Sequence, residues 1–425
     1  MSDFTSGKLL IKKRTLSQWL VLFAFAMPLF LSFFTSFLGI GSFIKYTIDV
    51  AWLLAFCLTF FKRKLFLDRN VVPFVLFVLG FFMYTLVLYA FNFQSYIYYL
   101  WGFRNNFRFL IFFLLCAILL TEDDATNMLR FLDALFWINI VVTLFQYFVL
   151  GYKQDYLGGI FGVDRGCNGY SIVLFAIVII KSIVSFMDKK ENILLCTVKC
   201  LFALVIAAMA ELKIFFVMFV IIIFISVFFT RFSWQKPVIV LIAGAALMVS
   251  GSVLTEIFGS NEQLSLDRIM ELITSTSYAT ENDLGRITAI PIISRTILTE
   301  PIERLFGLGL GNCETSSFAI CNTPFFEVYG GLNYTWLSSA FLFLETGIVG
   351  LLIYISFFVM CMVFAIRQFV KKKGNRLFSQ MTIIMSVICI ILVFYNSSLR
   401  FEVAYMSFFV LALPLISAKS AVTES

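Results

Sequence analysis

Apolar runs alternate with short polar turns along nearly the whole chain. The runs lie near residues 17–37, 43–61, 70–90, 99–120, 130–150, 169–187, 192–210, 213–230, 237–256, 334–366, 378–395 and 402–417. Each is about as long as a helix must be to cross roughly 30 Å of hydrocarbon. They predict an all-α, polytopic integral membrane protein with about 12 transmembrane helices. One interval breaks the rhythm, the 77 residues 257–333 between the ninth and tenth runs. The chain therefore divides into helices 1–9 (residues 1–256), one large extracytoplasmic loop (257–333), and helices 10–12 with a cytoplasmic tail (334–425). Within the loop, Thr280-Glu281-Asn282-Asp283 has capping-box form ahead of an alternating apolar and polar stretch from Leu284 to Thr299. That pattern predicts a short surface helix, kinked near Pro291, with Arg286 in its first turn. Gly307-Leu308-Gly309-Leu310-Gly311-Asn312 then predicts a flexible turn.

Composition narrows the class. The 425 residues are 61% hydrophobic and 13% charged, against about 25% charged in a soluble domain, and the mean hydropathy is +0.97. With no His anywhere, His-bound zinc, Ser/His/Asp and Cys/His triads and His proton relays are all excluded. The first run follows Lys12, Lys13 and Arg14 with no small-residue cleavage site after it, so it is expected to remain as an anchor with its basic flank in the cytoplasm. Threading the chain from there places 21 Lys and Arg on the cytoplasmic side and 11 at the outer side. This asymmetry fits the positive-inside rule, so the net charge of +7 needs no nucleic acid partner. The run at 192–210 is interrupted by Lys199, and Glu211-Leu212-Lys213 separates it from the next. A charged break either lines a wet cavity or forms a tight hairpin at the interface. Most cysteines lie in apolar runs, while Cys313 and Cys321 sit close together in the outer loop, where one bridge is conceivable.

The outward cations carry the candidate chemistry, because topology does not explain them. Arg104 and Arg108 stand four apart, on one helix face, where they either mark an anion site or contact lipid headgroups. Arg165, in GIFGVDRGCNGY, follows a Gly-rich outer loop, where backbone amides and a guanidinium could share one anion or where Asp164 could be its partner. Lys213 sits at the charged break, and Arg286 near a helix N-terminus opposes the macrodipole. Glu345, in NYTWLSSAFLFLETGIVGLL, must pair with a cation, hold a proton or meet a cavity. The glycine run is neither a Walker A loop nor a dinucleotide fingerprint.

Four patches together resemble the O-antigen polymerase and O-antigen ligase family of polytopic glycosyltransferases: GIFGVDRGCNGY, AELKIFF, LGRITAIPIISRTILTEPIERLFGLGLGN and NYTWLSSAFLFLETGIVGLL. The resemblance implies a GT-C-like membrane fold in the bacterial inner (cytoplasmic) membrane, with the active site on the extracytoplasmic side. It implies Arg286, Lys213 and Arg165 as catalytic cations around the diphosphate of an undecaprenyl-linked oligosaccharide. Substrate-binding residues would include Arg104, Arg108, Asn333, Tyr334, Glu345, Gly309 and Gly311. Donor and acceptor lipid-linked glycans, membrane lipids and a chain-length regulator would be the partners. No cofactor and no metal are expected, since the diphosphate is already a good leaving group and cations can stabilise its departing charge. The family's ligases carry a His after the large loop where this chain has Asn333-Tyr334, so the polymerase branch is the closer match. Lys at 213, in place of the usual Arg, weakens bidentate phosphate binding. The expected reaction is attack of an acceptor sugar hydroxyl on the anomeric carbon of a lipid-linked glycan, with inversion. En bloc transfer by a ligase and a twelve-helix lipid-linked oligosaccharide transporter are the alternatives.

Overall fold

The computed structural model describes residues 14–61, 66–164, 166–230, 234–258, 284–316 and 318–423. Among these residues every regular element is helical. The chain forms α1 (Leu16–Ala26), α2 (Tyr46–Phe60), α3 (Val72–Phe91), α4 (Tyr96–Leu119), α5 (Glu122–Phe148), α6 (Asn168–Met187), α7 (Ile193–Met209), α8 (Lys213–Phe229) and α9 (Gln235–Phe258). After the loop helices α10 (Ala289–Thr296), α11 (Pro301–Phe306) and α12 (Pro324–Tyr329) come α13 (Ser338–Val370), α14 (Arg376–Tyr395) and α15 (Ala404–Thr423). Eight helical stretches are long and apolar enough to cross a membrane, and four shorter apolar ones coincide with the remaining sequence runs. The molecule is thus a multi-pass helical membrane protein by length and composition.

Burial sorts these helices into a centre and a rim. Of their apolar stretches, 78% in α4, 89% in α6 and 72% in α14 are buried inside the bundle, against 22% in α3 and 28% in α2 and α9. The exposed apolar side chains of the rim, such as Leu76, Leu79 and Met83 on α3, are what a hydrocarbon solvent accepts. At the centre, α15 packs on α4 and α14, and α13 packs along α14. Two boundaries differ from the sequence reading for local reasons. Helix α5 begins at Glu122, because Thr121 and Asp124 form a reciprocal capping box that extends it beyond the apolar run. The first run is not one helix: past Ala26 it tightens to a 3₁₀ turn containing Pro28 and then widens over Phe33–Phe37.

Two polar features cross the apolar interior. Lys199 on α7 is buried, at 3.4 Å from Asp133 of α5 and 3.2 Å from Glu191. Lys181 of α6 pairs with the same Asp133, and the Ser182 hydroxyl bonds Glu191. Lys199 therefore interrupts its span as one member of a balanced network. The second feature is a break in α13 at Gly347, whose φ of +65° suits glycine. A Cβ there would come 2.2 Å from Leu305 O. The amides of Leu308 and Gly309 bond the carbonyls of Leu344 and Glu345 at 2.8 and 2.9 Å, and the Tyr84 hydroxyl bonds Thr346 O at 2.7 Å. Irregular backbone inside a membrane protein survives only where its polar groups find such partners.

Part of the loop can be compared with the expectation. The capping box Thr280–Asp283 lies outside the described residues. The helix expected over 284–299 is confined to Ala289–Thr296, and Arg286 sits in the turn before it. Pro291 falls in the first turn, where its missing N–H costs no helical bond, so it produces no kink. Cys313 and Cys321 are both free thiols: Cys313 is fully buried with its amide turned to Glu345, and Cys321 belongs to a separate 3₁₀ turn.

Candidate functional site

The loop-bearing end of the bundle gathers most of the cations singled out in the sequence. Arg104 and Arg108 project from successive turns of α4 and meet different acids. Arg104 Nη2 lies 2.6 Å from Asp49 of α2, its Nη1 bonds Asn105 at 2.7 Å, and its guanidinium stacks near Tyr46 and Trp101. Arg108 is 3% exposed. Its Nη1 donates to Glu402 at 3.0 Å and its Nη2 to the Arg400 carbonyl at 3.1 Å. Burial pushes the Glu402 carboxyl up, but the charge and hydrogen bond of Arg108, a backbone hydrogen bond and the charge of Arg104 together hold it below the usual carboxylate range. Each arginine thus has a carboxylate counterpart.

A second group lies under the loop. Arg400, in the turn between α14 and α15, places Nη2 2.8 Å from buried Glu314 and its guanidinium 3.1 Å above the Phe341 ring. Glu345, fully buried on α13, accepts the Cys313 amide at 3.2 Å through Oε1 and lies in the field of both Glu314 and Arg400. Tyr334 is also fully buried, donating its hydroxyl to Cys313 O at 2.6 Å, and burial pushes both that phenol and the Cys313 thiol up. Asn333, in left-handed conformation at φ +54°, separates two 3₁₀ turns and so turns Tyr334 inward. Several buried atoms in this region have no hydrogen-bond partner: Arg108 Nε, Arg400 Nε, Glu345 Oε2 and the Ser339 and Tyr405 hydroxyls. Unsatisfied polar atoms are rare in native interiors and mark capacity for a ligand or water.

The glycines serve backbone approach in this structure. Gly309 has φ +99°, and a Cβ would meet Gln94 Oε1 at 2.2 Å. Gly311 has φ +92°, and a Cβ would lie 1.9 Å from Tyr98 O. The GLGLG segment therefore seats the loop on the start of α4 and the break in α13 at once.

A third group links the remaining cations by a chain of contacts. Lys213 opens α8 and pairs with Glu211 at 3.0 Å across a turn in which Glu211 has φ +56°. The carbonyl of Ala210 in that turn accepts Asn168 Nδ2 at 2.9 Å. One residue on, Gly169 O accepts the Ser398 hydroxyl, while Asn396 O accepts the amide and hydroxyl of Ser338. Beside them Arg286 donates Nε to Tyr395 O at 3.2 Å, with its guanidinium 4.2 Å from the Tyr395 ring. Arg165 lies outside the described residues, but its neighbour Gly166 bonds Asp155 O, and Asp155 in turn bonds Asn168. The start of α6 and the loop at Arg286 therefore both contact residues 395–398, and the α7–α8 turn is bonded to the start of α6.

Sequence reasoning did not single out Arg400, Glu402 or Glu314. The signal was the pair of charges in SSLRFEVAY at the mouth of the last span, which reads as ordinary flanking charge until Arg108 and Glu314 are brought against it. No known family model matches the chain, and no curated protein matches it significantly.

Proposed function

We propose that the chain is a glycosyltransferase that polymerises polyprenyl-diphosphate-linked oligosaccharides on the face opposite its N-terminus. The observation that carries this reading is the incompletely satisfied charge cluster of Arg108, Arg400, Glu314, Glu345 and Glu402 beneath a docked loop, with Arg286 bonded to Tyr395 O at the start of the connection between the last two spans that carries Arg400. Fixed cations in a water-poor site stabilise charge developing on a departing diphosphate. In the proposed step the acceptor hydroxyl oxygen bonds the anomeric carbon, the carbon–oxygen bond to the diphosphate breaks, and the leaving electron pair stays on the diphosphate. The hydroxyl proton passes to a carboxylate of the cluster, for which Glu345 Oε2 is the unengaged oxygen. Support also comes from the resemblance of the patches around Arg165, Lys213, Arg286 and Glu345 to the O-antigen polymerase and ligase family, and Asn333-Tyr334 favours the polymerase branch.

The test is reconstitution of the full chain in nanodiscs with polyprenyl-diphosphate-linked repeat units, resolving products by length. A ladder that persists in EDTA and disappears in Arg286→Ala is the expected result. Movement of the lipid across a bilayer with no ladder for any repeat unit would replace this reading with a transporter.

A further inference from the structure

At the end opposite the loop, the C-termini of α8 and α13 and the turn into α14 enclose a cavity of about 560 Å³. That is the scale of a small-molecule site. Phe229, Phe369 and Val370 form its walls, and Lys372, Lys373 and Arg376 supply its charge. Among the described residues that line it there is no carboxylate. Asp188 stands 3.9 Å from Arg376 Nε, too far to accept its proton, and that buried N–H has no hydrogen-bond partner. The Gln368 Oε1 atom is likewise buried and unpartnered.

The turn places these side chains at some conformational cost. Lys372 has φ +53° at the helix-closing position where glycine is usual. The amides of Lys371, Lys372 and Lys373 are all committed to the carbonyls of Arg367, Phe369 and Gln368. An anion here would meet the side chains of these residues and not their amides. Phe229 and Phe369 meet edge to face at 5.7 Å, and the Arg376 guanidinium packs 5.1 Å from the Phe369 ring. Exposed Val370 and Phe228 continue the apolar wall onto the outer surface of the bundle. The positive-inside rule explains lysines at this end. It does not explain a cavity with an apolar wall, a cationic rim and an unengaged guanidinium N–H.

We propose that this cavity binds the phosphate headgroup of an acidic membrane lipid. Lys372, Lys373 and Arg376 contact the phosphate, and the first acyl carbons run along Phe229 and Val370. Basic pockets between helices at the cytoplasmic surface are the physical setting for such recognition, each cation near the surface being worth about fivefold.

Native mass spectrometry of the delipidated full chain, titrated with phosphatidylglycerol, phosphatidylcholine or inorganic phosphate, tests this. The expected preference for phosphatidylglycerol over phosphatidylcholine is about tenfold or more. It should fall to about twofold in Lys372→Gln/Lys373→Gln/Arg376→Gln. About tenfold should survive in Lys189→Gln/Lys190→Gln, which removes two charges outside the cavity, and not in Lys372→Gln/Lys373→Gln, which removes two inside it. An unchanged preference in the triple variant, or an equal loss in the control, overturns the site. Inorganic phosphate that displaces the lipid at equal concentration overturns the lipid assignment in favour of a free phosphate ester. Should the triple variant fail to fold, a photoactivatable phosphatidylglycerol on the unmodified protein decides: labelling at 228–230 or 368–376 supports the site, and labelling confined elsewhere removes it.

Discussion

Two buried charge clusters of this protein differ in one respect. Between α5, α6 and α7, Lys181 and Lys199 face Asp133 and Glu191, and none of these side chains has an unpartnered buried atom. Under the loop, Arg108 and Arg400 face Glu314, Glu345 and Glu402, while Arg108 Nε, Arg400 Nε and Glu345 Oε2 have no hydrogen bond. A balanced, closed network is the way a helix bundle tolerates charge in hydrocarbon. An open one keeps hydrogen-bonding capacity for something that enters. Completeness of pairing, more than depth of burial, separates structural charge from candidate chemistry here.

The comparison breaks most visibly if the closed cluster proves functional. Lys199→Met leaves Asp133 and Glu191 short of a cation and should destabilise the protein by about 3–5 kcal/mol. Adding Glu191→Gln should recover much of that, because it removes the stranded charge. Unfolding of the purified variants in detergent measures both. A folded Lys199→Met protein that had lost polymerisation would move this cluster to the functional side.

For the open cluster the order is reversed, with activity falling further than stability. Arg286→Ala should lower polymerisation by about 10²–10³-fold, the scale of one lost electrostatic contact in a transition state. If the melting temperature falls in parallel, Arg286 is a strut for the end of α14 through Tyr395 and not a diphosphate ligand. Glu345→Gln should cost about 10²-fold, as for removal of a general base. Its stability should change by less than about 1 kcal/mol, because the amide oxygen can still accept the Cys313 N–H. A single-turnover assay beside a thermal melt separates the two effects.

The span pattern was legible because an apolar run of about 20 residues has few alternatives to a membrane helix. The break at Gly347 was not, since it depends on the docking of residues 307–309 from a distant loop. Arg104 and Arg108 announced themselves by falling within a span, but their acids did not. Asp49 lies 55 residues from Arg104, and Glu402 lies 294 from Arg108. GLGLG reads from the sequence as a flexible turn, and only the neighbouring Tyr98 and Gln94 show that its glycines serve close packing. Arg400 and Glu402 escaped because a charge beside a span is unremarkable without knowledge of what it faces.

The smallest expected effect concerns the ion pair inside the open cluster, Arg108 with Glu402, in which Arg108 is paired through Nη1 while its Nε stays unpartnered. Arg108, a backbone hydrogen bond and Arg104 together hold the Glu402 carboxyl below its ordinary value despite burial. A carboxylate with a lowered folded-state pKa contributes stability above its unfolded pKa and loses it as pH falls through the folded value. Acidification from about pH 6 toward pH 3 should therefore destabilise the native protein more steeply than Glu402→Gln, and above about pH 6 the two curves should run parallel. Parallel curves over the whole range would mean that the Arg108–Glu402 pair carries no net linkage. In that event the pair would contribute no pH-dependent stability, and Arg108 would matter to the cluster only through its unpartnered Nε, as Arg400 does beside its pair with Glu314.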